Sequence, residues 1–343
     1  CSNCSQIPPN QTQKGNHSSH TDFIILGFPG LPEHQGLLFV LFVTIYILTL
    51  MENLVLIVTI KLNCQLHTPM YFFLGNLSLL EIFYVSVTVP KLLSNLLLGE
   101  KAISLGGCMA QLYFFLSLAS SECFLLSAMA YDRYLAICHP LRYPALMNHR
   151  ACAVLSLGSW LIGFLASFPS IVMISRLQFC RANTIQHFFC DLPPLLKLSC
   201  TDTSTIETLD FMAALSVLVT SMLVTGTSYI CIFSTVARIP PMAGKRKAFS
   251  TCASHLVVVS MFYATTLFMY ARPRAVGTFD LNKLVSVLYT VVAPFLNPII
   301  YSLRNREVRE TLGRPLHFVF SWLKKRWPLH TKEMPERNWN KRE

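Results

Sequence analysis

The chain has 343 residues, of which 53% are hydrophobic and only 13% charged. A water-soluble domain carries roughly 25% charged residues, so the composition excludes an ordinary soluble enzyme and points to a protein that lives in lipid. The formal charge of +11 is not a nucleic-acid signal until its distribution along the chain is known.

In chain order, three N-x-Ser/Thr triplets come first, at Asn3, Asn10 and Asn16. Such triplets accept glycans when they lie in an exposed segment outside the cell. Apolar runs of membrane-spanning length, about 20 residues, follow near 36–60, 70–97, 105–131, 151–174, 207–236, 248–271 and 283–303. Seven spans place the two ends on opposite sides of the membrane. The predicted fold class is an all-α membrane protein, a seven-transmembrane-helix bundle over residues 36–303. Residues 1–35 form a glycosylated outer tail. Residues 304–343 form an inner tail that opens with a short amphipathic eighth helix. Nineteen of the twenty-eight lysines and arginines fall on the side of the C-terminus. By the positive-inside tendency that side is the cytosol, and the N-terminus is extracellular. Plasma membrane is the expected location, with lipid as one partner and no nucleic acid.

Ionisable groups inside a span are functional candidates by default, and three acids qualify: Glu52, Glu81 and Glu122. The third span ends in Met129-Ala-Tyr-Asp-Arg-Tyr-Leu-Ala-Ile-Cys-His-Pro-Leu-Arg-Tyr143. An acid, an arginine and a tyrosine sit side by side there, at Asp132, Arg133 and Tyr134, where hydrocarbon gives way to water. Twelve cysteines are present. Cys108 opens the third span, and Cys180, Cys190 and Cys200 share one outer loop. Four thiols on the oxidising side point to two disulfides, and the sequence alone permits three pairings. Cys64, Cys123, Cys138, Cys152, Cys231 and Cys252 read as free, buried thiols. Pro298, inside the seventh span, cannot donate a backbone hydrogen bond and marks a kink. No phosphate-cradling glycine loop, zinc-ligand spacing or Gly-x-Ser-x-Gly elbow occurs, so no enzyme and no bound metal is expected.

The Met129–Tyr143 block resembles the odorant receptor family, the larger land-vertebrate type of rhodopsin-like G protein-coupled receptors. Four further blocks agree in order. They are Leu66-His-Thr-Pro-Met-Tyr-Phe-Phe-Leu74, Ser228-Tyr229, Lys247-Ala-Phe-Ser-Thr-Cys-Ala-Ser-His-Leu256 and Pro294-Phe-Leu-Asn-Pro-Ile-Ile-Tyr-Ser-Leu-Arg-Asn305. The resemblance covers about residues 21–314. It implies a receptor for small, mostly apolar volatile molecules that activates a heterotrimeric G protein of the stimulatory olfactory type. It selects the pairings Cys108–Cys190 and Cys180–Cys200, and favours Asn16 as the glycan site. It places coupling and switching on Asp132, Arg133, Tyr134, Tyr229, His255, Asn297, Pro298 and Tyr301, with the Tyr229 and Tyr301 hydroxyls able to meet near Arg133 when the sixth helix swings. It sets Glu81 and Glu122 opposite each other in the bundle, where either a proton or a sodium ion reconciles two carboxyls; no other cofactor is implied. This chain carries Glu81 where the family usually has aspartate, and Ala264 where it usually has glycine.

Ligand-binding positions carried over by resemblance are Phe115, Leu116, Ala119, Ser120, Ala214, Val217, Leu218, Tyr263, Thr266, Leu267 and Tyr270. Apolar walls with a few hydroxyls are the usual chemistry of a small-ligand site. Phe115 stands where amine receptors hold an ammonium with an acid, which argues for a neutral ligand over an amine. Arg274 reads as a solvated loop residue. The alternative function is a cation-conducting channel or transporter using Glu52, Glu81 and Glu122. It predicts inverted repeats, and none is visible.

Overall fold

The computed structural model describes residues 22–28, 32–179, 183–238, 243–270 and 279–304. Three long helices come first: α1 (Gln35–Leu62), α2 (Pro69–Leu98) and α3 (Leu105–Cys138). The short α4 (Tyr143–Leu146) precedes α5 (His149–Ile174), and the short α6 (Leu192–Leu196) precedes α7 (Ser204–Arg238). Then come α8 (Ala243–Tyr270), α9 (Phe279–Val287) and α10 (Ala293–Arg304). A wider π turn at Leu288–Val292 joins α9 to α10 into one rod. Six of these helical rods are long and apolar enough to cross a membrane, and α8 contains a shorter apolar stretch, Cys252–Phe268. The chain is therefore the seven-helix membrane bundle expected from its apolar runs. The expected eighth helix and the three glycan sites lie outside the described residues.

Local chemistry sets the helix ends. Pro69 begins α2, where a missing N–H costs nothing. Gly99 ends it in the left-handed conformation (φ +67°), with its N–H bonded to the Asn95 carbonyl at 3.2 Å. Ser104 caps α3 by accepting from the Gly107 N–H at 3.1 Å, and Asn148 caps α5 by accepting from Ala151 at 2.9 Å. The third helix runs to Cys138 rather than stopping at the charges near 131. Asp132 is fully buried against Arg133 and Tyr143, so continuing the helix exposes no naked carboxylate to lipid.

Leu77, Leu80, Leu125 and Leu126 fill the middle of the bundle, while Leu37, Ile47, Leu54, Leu161, Leu165 and Leu223 are exposed on its rim, as lipid contact requires. α3 packs very closely on α5. A Cβ built on Gly163 would collide with the Ser121 hydroxyl, and would lie 2.6 Å from the Ser117 carbonyl and 2.7 Å from the Ser121 nitrogen. Small residues at a helix crossing let the backbones approach this closely in lipid.

The end of the bundle opposite Arg133 carries a feature the apolar pattern did not reveal. Strands β1 (Phe23–Ile25), β2 (Ala102–Ile103) and β3 (Thr184–Ile185) form a small sheet in the order β2-β1-β3. β1 is antiparallel to β2 and parallel to β3. Phe23 and Ile25 are fully buried, and the middle strand is further tied by the Asn95 amide donating to the Ile25 carbonyl at 2.8 Å. Lys283, itself buried, donates to the Gly27 carbonyl at 2.9 Å, so the segment before α1 is fastened to the start of the last rod. Gly27 adopts φ +65°, which favours a residue without Cβ.

The Cys108–Cys190 disulfide joins α3 to the loop before α6. The Cys190 N–H also donates to Gln111 at 2.9 Å. Cys200 is disulfide-bonded as well; its expected partner, Cys180, lies outside the described residues. The six remaining described cysteines are free, but Cys64 and Cys231 are exposed rather than buried. Cys64 sits in a loop turn and Cys231 on the rim of α7.

Candidate functional site

A cavity of about 200 Å³ lies between α3, α7, α8 and the π turn, beneath α6. From α3 it is lined by Phe115, Leu116, Ala119 and Ser120; from α7 by Ala214, Val217 and Leu218; from α8 by Thr266. Two other expected positions fall elsewhere. Tyr263 is buried in the packed interior, its hydroxyl 3.5 Å from that of Thr225. Leu267 faces outward, 41% exposed. Both follow from α8 turning its Phe262, Thr265 and Thr266 face to the cavity. The Tyr270 side chain and Arg274 lie outside the described residues.

The wall also holds residues that the resemblance did not supply: Tyr84, Glu122, Cys123, Asp191, Leu192, Pro193, Asp210, Tyr289 and Ala293. Some were within reach of the sequence. Asp210 precedes Ala214 by four residues and therefore shares its helix face. Asp191 follows Cys190, and the disulfide to the start of α3 fixes it over the bundle mouth. There it accepts the Leu192 N–H at 2.9 Å and starts α6. Tyr84 and Tyr289 gave no such signal.

Aromatic side chains make the roof. The Phe115 ring lies 4.8 Å from Phe189, 5.4 Å from Tyr84 and 6.0 Å from Tyr289. Behind them, His187 sits 3.2 Å from the Ser286 hydroxyl. Burial first, and then the neighbouring Lys283 charge, push its pKa down to about 3, so it is a neutral packing group at physiological pH.

Deeper in the bundle, Glu81 accepts the Asn297 amide at 2.7 Å. Both groups are 2% exposed. Glu122 is 7% exposed and close enough to Glu81 to interact electrostatically. Two carboxyls so placed should behave as one unit. Replacing either with glutamine is expected to change basal cAMP production, and the double replacement should not give the sum of the singles. Simple additivity in well-expressed receptor would show that the pair is uncoupled.

At the far end, Arg133 holds Asp132 through two nitrogens, at 2.5 and 3.1 Å, and Tyr143 donates to the other Asp132 oxygen at 2.8 Å. Burial and the adjacent Asp132 raise the Tyr143 pKa, so its phenol stays protonated and able to donate. Tyr134 does not join this cluster; its hydroxyl pairs with His139 at 3.0 Å. Tyr229 reaches His255 on α8 at 2.6 Å. Tyr301 is buried, and its hydroxyl has no hydrogen-bond partner among the described residues. The two tyrosines thus sit in electrostatic range of Arg133 without bonding it. Pro298 lies inside α10, one residue from Asn297, where its missing donor loosens the helix.

This arrangement is a small-molecule-sized cavity at one end of a bundle and a latched charge cluster at the other. Among solved structures, squid rhodopsin superposes with a TM-score of 0.66 over 86% of each chain at 17% identity, which establishes the fold. The family model for the olfactory receptor matches residues 42–317. Olfactory receptor 226 of Rattus norvegicus is 53% identical over 90% of this chain and 95% of its own. Olfactory receptor 6A2 of Homo sapiens is 53% identical over 88% and 94%, respectively. With a family match over most of its length and relatives above half identity, the chain belongs to the olfactory receptor family, and it is a multi-pass, odorant-sensing G protein-coupled receptor rather than an enzyme or a cation channel.

Proposed function

We propose that the cavity under α6 is the odorant site, and that occupancy is read out at the Arg133 cluster by a stimulatory olfactory-type G protein. The observation that carries this is the cavity itself: largely apolar and covered in part by a disulfide-anchored loop. Burial supplies affinity for a small apolar molecule, and a few polar groups set its orientation. A ligand preferring one arrangement of the helices shifts a pre-existing equilibrium. The π turn and Pro298 supply the part of the bundle able to repack.

In this reading the sheet and the disulfide face the outside, and Arg133 faces the cytosol at the plasma membrane. The bias of lysine and arginine toward the C-terminal side supports that orientation. A proton or a sodium ion settles the charge of the Glu81–Glu122 pair. The carboxyl oxygens are the hard donors such an ion takes.

Filling the cavity tests the proposal. Ala119→Trp adds an indole to its wall and is expected to lower odorant potency at least about tenfold in a cAMP assay, with surface expression kept. Unchanged potency in expressed receptor would move the binding site elsewhere.

A further inference from the structure

On the cavity wall the hydroxyls of Ser120, Tyr84 and Tyr289 can donate or accept, and the remaining hydrogen-bonding side chains are mostly acceptors. Three carboxyls line it: Glu122 deep on α3, Asp191 beside the disulfide and Asp210 on α7. No lysine, arginine or histidine occurs among the described lining residues. The two threonine hydroxyls have spent their protons on their own helix. Thr265 donates to the Met261 and Phe262 carbonyls at 2.9 Å, and Thr266 donates to Phe262 at 2.8 Å. They present lone pairs to the cavity. Glu122 is more than nine-tenths buried and lines the cavity. A ligand that donates to a buried carboxyl offsets part of the cost of burying it. Asp210 stands beside Ser170, half-buried at the opposite end of the wall. Along α7, Asp210 and Leu218 are eight residues apart, about 12 Å at 1.5 Å per residue. The cavity is an apolar slot with acceptor oxygens at both ends.

We infer that this receptor selects apolar ligands whose polar head donates hydrogen bonds, an alcohol or a protonated primary amine, and rejects acceptor-only and anionic heads, with Asp210 as a specificity-determining residue. The inference rests on the cavity being the odorant site. It reverses the expectation, drawn from Phe115, that amines are disfavoured. Phe115 does occupy the third-helix position, but the acids enter from the loop and from α7 instead. A carboxylate head would meet carboxyls on the wall and no described cation to pair with, which disfavours binding.

Four ligands of one chain length separate the heads: heptylamine, heptanol, heptanone and heptanoate. Binding is measured as thermal stabilisation of purified full-length receptor, alongside cAMP dose–response curves. The amine and the alcohol are expected to bind more tightly than the ketone, and the carboxylate not at all. Asp210→Asn keeps the side-chain volume and removes the charge. It should weaken the amine roughly ten- to a hundredfold, the range for hydrogen bonds to a charged group, and leave the ketone unchanged. Asp210→Leu should weaken the alcohol as well. The inference is overturned if none of the four binds, if heptanone or heptanoate matches the donors, or if Asp210→Asn shifts every head equally. Ala119→Trp distinguishes the two levels. If it leaves donor binding intact, the cavity reading has failed. If it abolishes binding while Asp210→Asn leaves the amine-to-ketone ratio unchanged, only the head preference has failed.

Discussion

Arg133→Ala is expected to reduce odorant-stimulated cAMP to the basal level while the receptor still reaches the cell surface. The guanidinium is 12% exposed and its partner Asp132 is fully buried. Arg133 is therefore held inward by its neighbour rather than offered freely to the cytosol. Activation, on this geometry, is the exchange of Asp132 for a G protein contact. Asp132→Asn weakens the latch without removing the arginine and should raise basal cAMP. Breaking a buried pair from one side costs about 3–5 kcal/mol, so alanine could also lower expression. Arg133→Lys controls for this: it keeps the charge but loses the planar two-nitrogen grip, and should leave a strongly reduced signal at wild-type abundance. Full signalling by either arginine variant would remove Arg133 from the coupling step.

The second large effect concerns folding. Gly163→Ala places a methyl against the Ser117 carbonyl and the Ser121 nitrogen, both backbone atoms that no rotamer change can move. Forcing helices apart in this way costs about 1–3 kcal/mol, and Gly163→Leu should prevent maturation altogether. Gly158, on the same helix, has nothing within 4 Å of a built Cβ. Gly158→Ala should therefore be neutral or mildly stabilising. Surface staining and melting temperature of the detergent-solubilised receptor report both effects. Equal behaviour of the two alanine variants would mean that the close α3–α5 approach is not a stability determinant.

Much of this was legible in the residues. Apolar runs gave the helix bundle because lipid imposes one length on every span. Their ends were less well placed where charge is neutralised locally, as in the last turns of α3. The cavity was partly legible. The family resemblance carried over Phe115, Ala119, Val217 and Leu218, and these line the cavity. The rotation of α8 was not, because an apolar helix in lipid has no polar stripe to show which side turns inward, and Leu267 was assigned to the wrong face. The sheet was also hidden. Strands of two or three residues carry no periodicity, and β1 is defined by partners far away in the chain.

That distance has a consequence for biosynthesis. Residues 23–27 are synthesised before all of their hydrogen-bonding partners, which run from Asn95 and Lys101 to Lys283. Ile24 waits for Asn183, and Gly27 waits for Lys283, 256 residues later. Contacts of such long sequence separation form late, since the intervening chain must be ordered first. Until the chain has been made as far as Ile206, Phe23 and Ile25 lack part of their burial site, and the nascent chain displays two large apolar side chains. The fastening of Gly27 to Lys283 is thus among the last contacts to close, because it can form only once the last rod has begun.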